Sequence, residues 1–379
     1  MPVRENLKKT VRRTRQDQLP PNPKSLADLQ DLPPEYTKTF KDEAFLLYDS
    51  RSDPAFEHGR VLVFSTRKNL EMLSKSSTWF VDGTFKVAPS MFVQMFAILG
   101  IVSQASRRLS NSQLALPFVY ALLSGKETPQ YEAVFQAINT TATRYGIQFQ
   151  PTRIMGDFEA AIIAACRSTY PNVPIAGCYF HLCQSMYRRI IAEGLQTAYT
   201  DKNNTEVRTK THMLLALAFV PVEDVENTFE ELRETMPDSM INVVDYFELN
   251  YIHGRQRRNG RGSAPPRFPL SLWNQREATI TGQHRTNNVS EGWHHRFALM
   301  VGKSHPSLFS LLSVLQKEQH DVDGSIVEVG LGRLVRAKQR RKTAALQAQL
   351  EAVTLDYKVC KDEDRVLEFL TNIGCNISL

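Results

Sequence analysis

Between Thr78 and Ser124 three β-rich segments follow one another across short polar breaks, and from Thr128 to Tyr179 helix and strand alternate. Beyond Asn204 the strand signal vanishes. That order restricts the chain to an α/β architecture with a helical block appended to it. The segments Thr78–Val87, Met91–Ser103 and Leu114–Ser124 are dense in β-branched and aromatic residues. The intervals between them hold the Pro, Ser, Asn and basic residues of hairpin loops. Thr128 and Pro129 predict an N-cap followed by Pro at the first helical position; Val134, Ile138 and Ala142 mark one face, and Gly146 ends the helix. A strand at Thr152–Met155, a helix from Phe158 to Thr169, a strand at Val173–Tyr179 and a helix opening near His181 complete the alternation.

Upstream, a strand is expected at Arg60–Ser65 and a helix at Arg67–Ser74. Downstream, Val207–Phe219, Val222–Thr235 and Ser239–Leu249 predict an all-α block, closed by an Arg/Gly loop at 254–267. Further helices are expected over Val289–Val301, from Pro306 to Gln319, over about 330–355 and near Asp364–Asn372. Residues 1–40 are basic and Pro-studded, which predicts an extended arm docked on the body.

The chain has 379 residues and a net charge of +6, and the charge is unevenly placed. Residues 1–25 hold seven basic and two acidic side chains, 254–267 hold five Arg and no acid, and 333–342 hold six basic residues and no acid. The remainder therefore carries −10. A mildly acidic body with basic patches suggests a polyanionic partner, nucleic acid first, with solvated loops and helix faces as the alternative. The charged N-terminus has no apolar stretch behind it, and the longest apolar run, Met91–Val102, is about half a membrane span. No membrane partner is expected. Five Cys, all from Cys166 onward and irregularly spaced, predict free thiols in a reducing compartment.

Two acids sit where acids are unexpected. Asp82 interrupts an apolar strand, where a carboxylate is costly unless paired or metal-bound. Asp157 falls at the carboxyl end of a strand, where open α/β sheets place ligands. The alternatives are an Asp82-Gly83 turn and an Asp157 helix cap. A third acid, Glu291, has capping-box spacing from Asn288. Taken together, the three carboxylates form an oxygen donor set for divalent cations, whose absence would raise at least one pKa by mutual repulsion. Cys178 and His181 are spaced as two metal ligands, yet four, or three plus water, are needed for zinc. A half-buried Cys with a His at a helix start is the alternative, and zinc is not expected.

Four blocks occur in order: Asp82-Gly83-Thr84-Phe85, Gly156-Asp157-Phe158-Glu159, Gly177-Cys178-Tyr179-Phe180-His181 and Asn287-Asn288-Val289-Ser290-Glu291-Gly292-Trp293-His294. Together they resemble the catalytic domain of Mutator-like element (MULE) transposases over roughly residues 40–345. The resemblance implies a ribonuclease-H-like mixed sheet flanked by helices, with an all-α insertion at about 195–285 before the last catalytic helix. It assigns the catalytic and metal-binding DDE triad to Asp82, Asp157 and Glu291, with two Mg²⁺ or Mn²⁺ ions and with Cys178, His181 and His294 in support. The implied layout is an arm at 1–40, an extension at 41–75 packing on the core, a DDE domain at 76–330 and a basic helical tail at 331–379.

The activity so implied is metal-dependent cleavage and strand transfer of DNA in the nucleus, by a homo-oligomer on transposon ends and target. Candidate DNA contacts are Arg255, Arg257, Arg258 and Arg261, then Arg333, Arg336, Lys338, Arg340 and Arg341, the second group also suiting nuclear import. Relatives carry an amino-terminal zinc module, whereas no Cys precedes Cys166 here. That departure keeps two alternatives open: a transposon-derived DNA-binding or regulatory protein without transposition, and a nuclease of the same fold.

Overall fold

The computed structural model describes residues 20–106, 109–256, 263–333 and 341–377. Of the expected features, residues 1–19 of the basic arm, Arg257, Arg258, Arg261, Arg336, Lys338 and Arg340 lie outside these, as does the side chain of Arg341. The strands are β1 (Leu46–Asp49), β2 (Val61–Phe64), β3 (Thr78–Thr84), β4 (Gln94–Ser106), β5 (Leu109–Leu123), β6 (Arg153–Gly156) and β7 (Ile175–Gly177). A short pair follows, β8 (Arg255–Gln256) and β9 (Ser263–Ala264). The first seven form one sheet in the order β1-β2-β5-β4-β3-β6-β7. Helices accompany them in the α/β manner expected from the sequence.

Two compact units divide the chain. The first comprises residues 1–154, 160–173 and 288–337; the second comprises 155–159, 174–287 and 338–379.

In the first unit β4 is the centre of an antiparallel meander, pairing with β3 on one side and β5 on the other. Its helices are α1 (Arg67–Ser74), α2 (Thr128–Arg144), α3 (Ala160–Thr169), and, much later in the chain, the helices over 288–301 and 308–330. Trp79, Phe80, Phe96, Phe118 and Phe135 are fully buried, and the Trp79 ring meets Phe149 and Tyr170 edge-on at 5.1 and 5.4 Å. Rings of this size dominate core energetics through their buried area. The segment before β1 is docked on the helix at 308–330. Asn22 Oδ1 accepts from the Leu308 amide at 2.8 Å, and Tyr36 packs on Phe309 at 5.0 Å.

The second unit holds α4 (Tyr179–Ala192), α5 (Gln196–Thr200), α6 (Glu206–Ala216), α7 (Val225–Glu234), α8 (Ile241–Phe247), α9 (Leu270–Trp273) and α10 (Arg276–Ile280). After α11 (Asn288–Val301) and α12 (Leu308–Gly330) of the first unit, the second unit resumes with α13 (Arg341–Leu355), α14 (Tyr357–Asp362) and α15 (Val366–Cys375). Its core is an aromatic cluster of Phe247, Tyr251, Phe268 and Trp273, with the Trp273 indole donating to the Tyr251 carbonyl at 3.1 Å. The expected all-α block is present.

Boundaries differ from the sequence reading in instructive ways. The segment expected as a hairpin loop, Ser103–Leu114, is largely strand, because β4 and β5 stay paired out to Ser106 and Leu109. Backbone hydrogen bonding across the pair overrides the polar composition that suggested a loop. The helix from Pro306 begins at Leu308 and runs past the expected Gln319 to Gly330, since Val322 and Ile326 continue its buried face. The cap of α2 is Glu127, which places Pro129 at the second helical position. The Arg/Gly segment expected as a loop carries the two-residue ladder β8–β9.

Candidate functional site

Asp82 lies in mid-strand, paired with Ala97 of β4, and is 6 % exposed. The turn alternative for Asp82-Gly83 is therefore not the structure adopted. Its Oδ1 accepts from the Gly83 amide at 2.8 Å, and its Oδ2 stands 3.3 Å from Nδ1 of His294. Helix α11 packs against β3, which delivers that histidine. Glu291 precedes His294 by three residues and so shares its helical face, one turn nearer the N-terminus. The helix opens on Asn288, which makes Glu291 its fourth residue instead of the third that a capping box on Asn288 requires. Trp293 and Arg296 of the same helix both donate to Glu318, a fully buried carboxylate on α12, the Trp293 indole at 2.8 Å.

Asp157 belongs to the second unit. It follows β6 directly and stands three residues ahead of the first residue of α3, too far to cap that helix. Its Oδ1 is 2.8 Å from Nδ1 of His181. Burial opposes the charge on His181, but Asp157 and Cys178 outweigh it through hydrogen bonds and charge, raising the pKa to about 10. The histidine is therefore a cation at neutral pH, set against the Asp157 carboxyl group. Cys178 is buried and precedes α4 as its cap; its sulfur accepts from the Asn287 amide at 3.1 Å. The Cys-x-x-His spacing thus puts the histidine on the first turn of α4, facing the acid that leaves β6.

Residues without a sequence signal hold this corner together. Gln275, fully buried, donates to the Gly177 carbonyl at 3.0 Å, and the Tyr179 amide donates to the Arg285 carbonyl at 2.9 Å. Phe158 occupies the space where a Cβ on Gly177 would sit, 2.5 Å from its ring, so the glycine is required for that packing. Gly177, Tyr179 and Phe158 fall within motif blocks; Gln275 stands about a hundred residues away from its partner and nothing local marks it.

The structure thus brings Asp82 together with His294, and Asp157 together with His181. Arg255 and Arg333 are exposed, and Arg333 pairs with Glu328 at 3.2 Å. Among the described residues, the one group of three His, Cys, Asp or Glu ligand atoms within 4.8 Å of one another is Glu230, Glu248 and His253 in the helical block. Arg233 compensates that group, with Nη1 2.9 Å from Glu248. The five cysteines are free, and burial pushes the Cys166 and Cys183 thiols up to about 12, so neither is a nucleophile near neutrality. No helix among the described residues is long and apolar enough to cross a membrane.

What these elements define is an α/β protein with one acid in a strand and one just past a strand end, each set against a histidine from a helix. Residues 78–185 match the family model of the MULE transposase domain, as the motif resemblance implied. That segment contains Asp82, Asp157, Cys178 and His181; Glu291 and His294 lie beyond it. No curated protein matches the chain.

Proposed function

We propose that this chain is a MULE-type DDE transposase protein with a ribonuclease-H-like core, in which Asp82, Asp157 and Glu291 support divalent-metal-dependent cleavage and strand transfer of DNA. The observation that carries the reading is Asp82: a carboxylate in the middle of a buried strand, paired with a histidine one turn from Glu291, inside the segment that matches the transposase domain. Carboxylate oxygens suit hard cations such as Mg²⁺ or Mn²⁺, and a carboxylate this deeply buried is stabilised by a bound cation. When bound, two such ions supply Lewis acidity that activates a hydroxyl and stabilises a leaving oxygen in phosphoryl transfer.

The protein's own residues do the positioning. Asp82, Asp157 and Glu291 are the oxygen donors. His294 fixes the rotamer of Asp82, and His181 aims Asp157. No protein nucleophile is required, since water and then a DNA 3′-hydroxyl fill that role. DNA ends and target are the partners, the working form is a homo-oligomer on DNA, and the compartment is the nucleus, with the basic tail segment from Arg333 as the import element.

The test is nicking and joining of duplex DNA with Mg²⁺ or Mn²⁺, comparing the parent chain with Asp82→Asn and Glu291→Gln. Both variants are expected to lose nearly all activity while keeping the parent's thermal midpoint and DNA affinity. Equal activity in all three chains refutes the triad. Nicking without joining identifies a nuclease of the same fold instead, and binding without either identifies a DNA-binding protein.

A further inference from the structure

Strand β3 ends at Thr84, and the next residue, Phe85, turns a large aromatic ring into solvent, 41 % exposed. The Lys126 ammonium sits 3.7 Å over the ring centroid, a cation–π contact that fixes both the ring and the charge. Lys86 beside it is exposed. A second segment is fastened to the same place. His305 adopts φ +47°, a left-handed conformation that a non-glycine residue holds only when its surroundings enforce it. Here the enforcement is visible: the His305 amide donates to the Lys86 carbonyl at 2.8 Å, and Nδ1, facing a carbonyl acceptor, donates to Ala88 at 3.0 Å. The clasp holds exposed Lys303 and Ser304 at the exit of β3. The neighbouring acid, Glu127, is directed to His58, 3.6 Å away. Among the described residues no carboxylate pairs with Lys86, Lys126 or Lys303.

An exposed ring set among uncompensated lysines is the chemistry that holds a nucleic-acid strand, base or sugar on the ring and phosphate on the cations. The location narrows the occupant further. Three residues of extended chain separate Phe85 from Asp82, about 10 Å. Strand side chains alternate, so the ring faces Lys126 on the side of β3 opposite the Asp82 carboxylate, and it meets DNA that rounds the end of β3 about three nucleotides along from Asp82, at about 3.4 Å per nucleotide.

We propose that Phe85, Lys126, Lys86 and the clasped Lys303 turn form a subsite for the DNA strand flanking the reacting phosphate, with Phe85 as its stacking platform. The proposal rests on the functional reading above, and it adds the site that grips the strand next to Asp82. Phe85→Ala leaves the core untouched, because the ring is at the surface.

The test measures binding of the full chain to a fluorescein-labelled oligothymidylate strand by anisotropy, without divalent metal, as a function of salt. Phe85→Ala is expected to weaken binding about 5- to 150-fold, and Phe85→Trp to restore it. Lys126→Gln is expected to flatten the slope of log affinity against log salt by about 0.7. In the nicking assay Phe85→Ala should raise KM more than it lowers kcat. Parent-like affinity in Phe85→Ala overturns the subsite while metal-dependent nicking keeps the functional reading intact. A change in sedimentation of Phe85→Ala with unchanged affinity also overturns it, by showing that a second copy of the chain covers the ring. Absence of both binding and nicking in the parent chain removes the subsite and the functional reading together.

Discussion

His294 and His181 each set a ring nitrogen against a carboxylate, at 3.3 Å from Asp82 and 2.8 Å from Asp157. Partners that orient a metal-binding carboxylate contribute through geometry, and their loss typically costs about 10- to 100-fold in metal affinity or activity. His294→Ala and His181→Ala are therefore each expected to lower metal-dependent nicking by about that factor. Titration of the metal requirement checks this, since the loss should shrink at high Mn²⁺. A third histidine makes a prediction of another kind. His212 donates from Nδ1 to the Gly374 carbonyl at 3.0 Å, and its Nε2 faces the Tyr199 hydroxyl at 3.0 Å. The carbonyl can only accept, so Nδ1 carries a proton. Burial lowers its pKa; the Gly374 bond opposes that, and nearby Arg208 reinforces it. Above the unfolded value of about 6.5 the ring is neutral in both states and stability is unaffected. As pH falls through that value, the unfolded chain binds a proton that the folded chain refuses, and stability declines until pH reaches the lowered folded value. Urea midpoints at about pH 7.5 and about pH 5.5 should fall more steeply for the parent chain than for His212→Asn.

Helix α11 owes its placement to a residue outside all four motif blocks. Glu318 of α12 is fully buried and receives both the Trp293 indole and the Arg296 guanidinium, while the Trp293 ring packs 5.9 Å from Tyr120 of β5. Glu318→Gln keeps the volume and removes the charge from both hydrogen bonds. Its expected cost is about 1–3 kcal/mol, at the lower end because Arg296 is partly solvated. Thermal denaturation measures that loss, and nicking should fall with it because Glu291 rides on the same helix. The sequence placed this helix at Val289–Val301 but held no sign of Glu318, which looks like any charged residue of a long helix until its partner is known. The same division runs through the fold. Elements with a local signature, such as α1 at Arg67–Ser74 and β3 around Trp79-Phe80-Val81, were legible from residue type and spacing. The extended β4–β5 ladder and the overrun of α12 depend on partners distant in the chain. At the site, Asp82 and Asp157 stood out because a carboxylate in or beside an apolar strand is anomalous. The clasp of His305 on Lys86 is a meeting of segments that no local pattern announces.

At the scale of the whole chain, the segment that matches the transposase domain leaves out part of the sheet to which it belongs. Residues 78–185 lack β2, whose Val61, Leu62, Val63 and Phe64 are wholly buried and pair with β5 from Leu123 to Tyr120. Expressed alone, this segment should expose an apolar strand edge and aggregate, which light scattering would show, whereas the full chain stays dispersed. Charge is likewise a property of the full chain. The +6 is the balance of basic segments against a body that is net acidic, and part of that acidity is Asp82, buried inside a strand where it contributes little to the outer field. If the basic segments meet DNA, affinity must depend on salt in proportion to the phosphates they neutralise, because each contact releases condensed counterions. Replacing Arg255, Arg257, Arg258 and Arg261 by Gln should reduce the slope of log affinity against log salt on duplex DNA by about 0.9 for every one of them that contacts a phosphate. The thermal midpoint is expected not to change, since Arg255 is exposed. An unchanged slope would remove this segment from the DNA surface and leave Arg333 and the basic residues after it to account for binding.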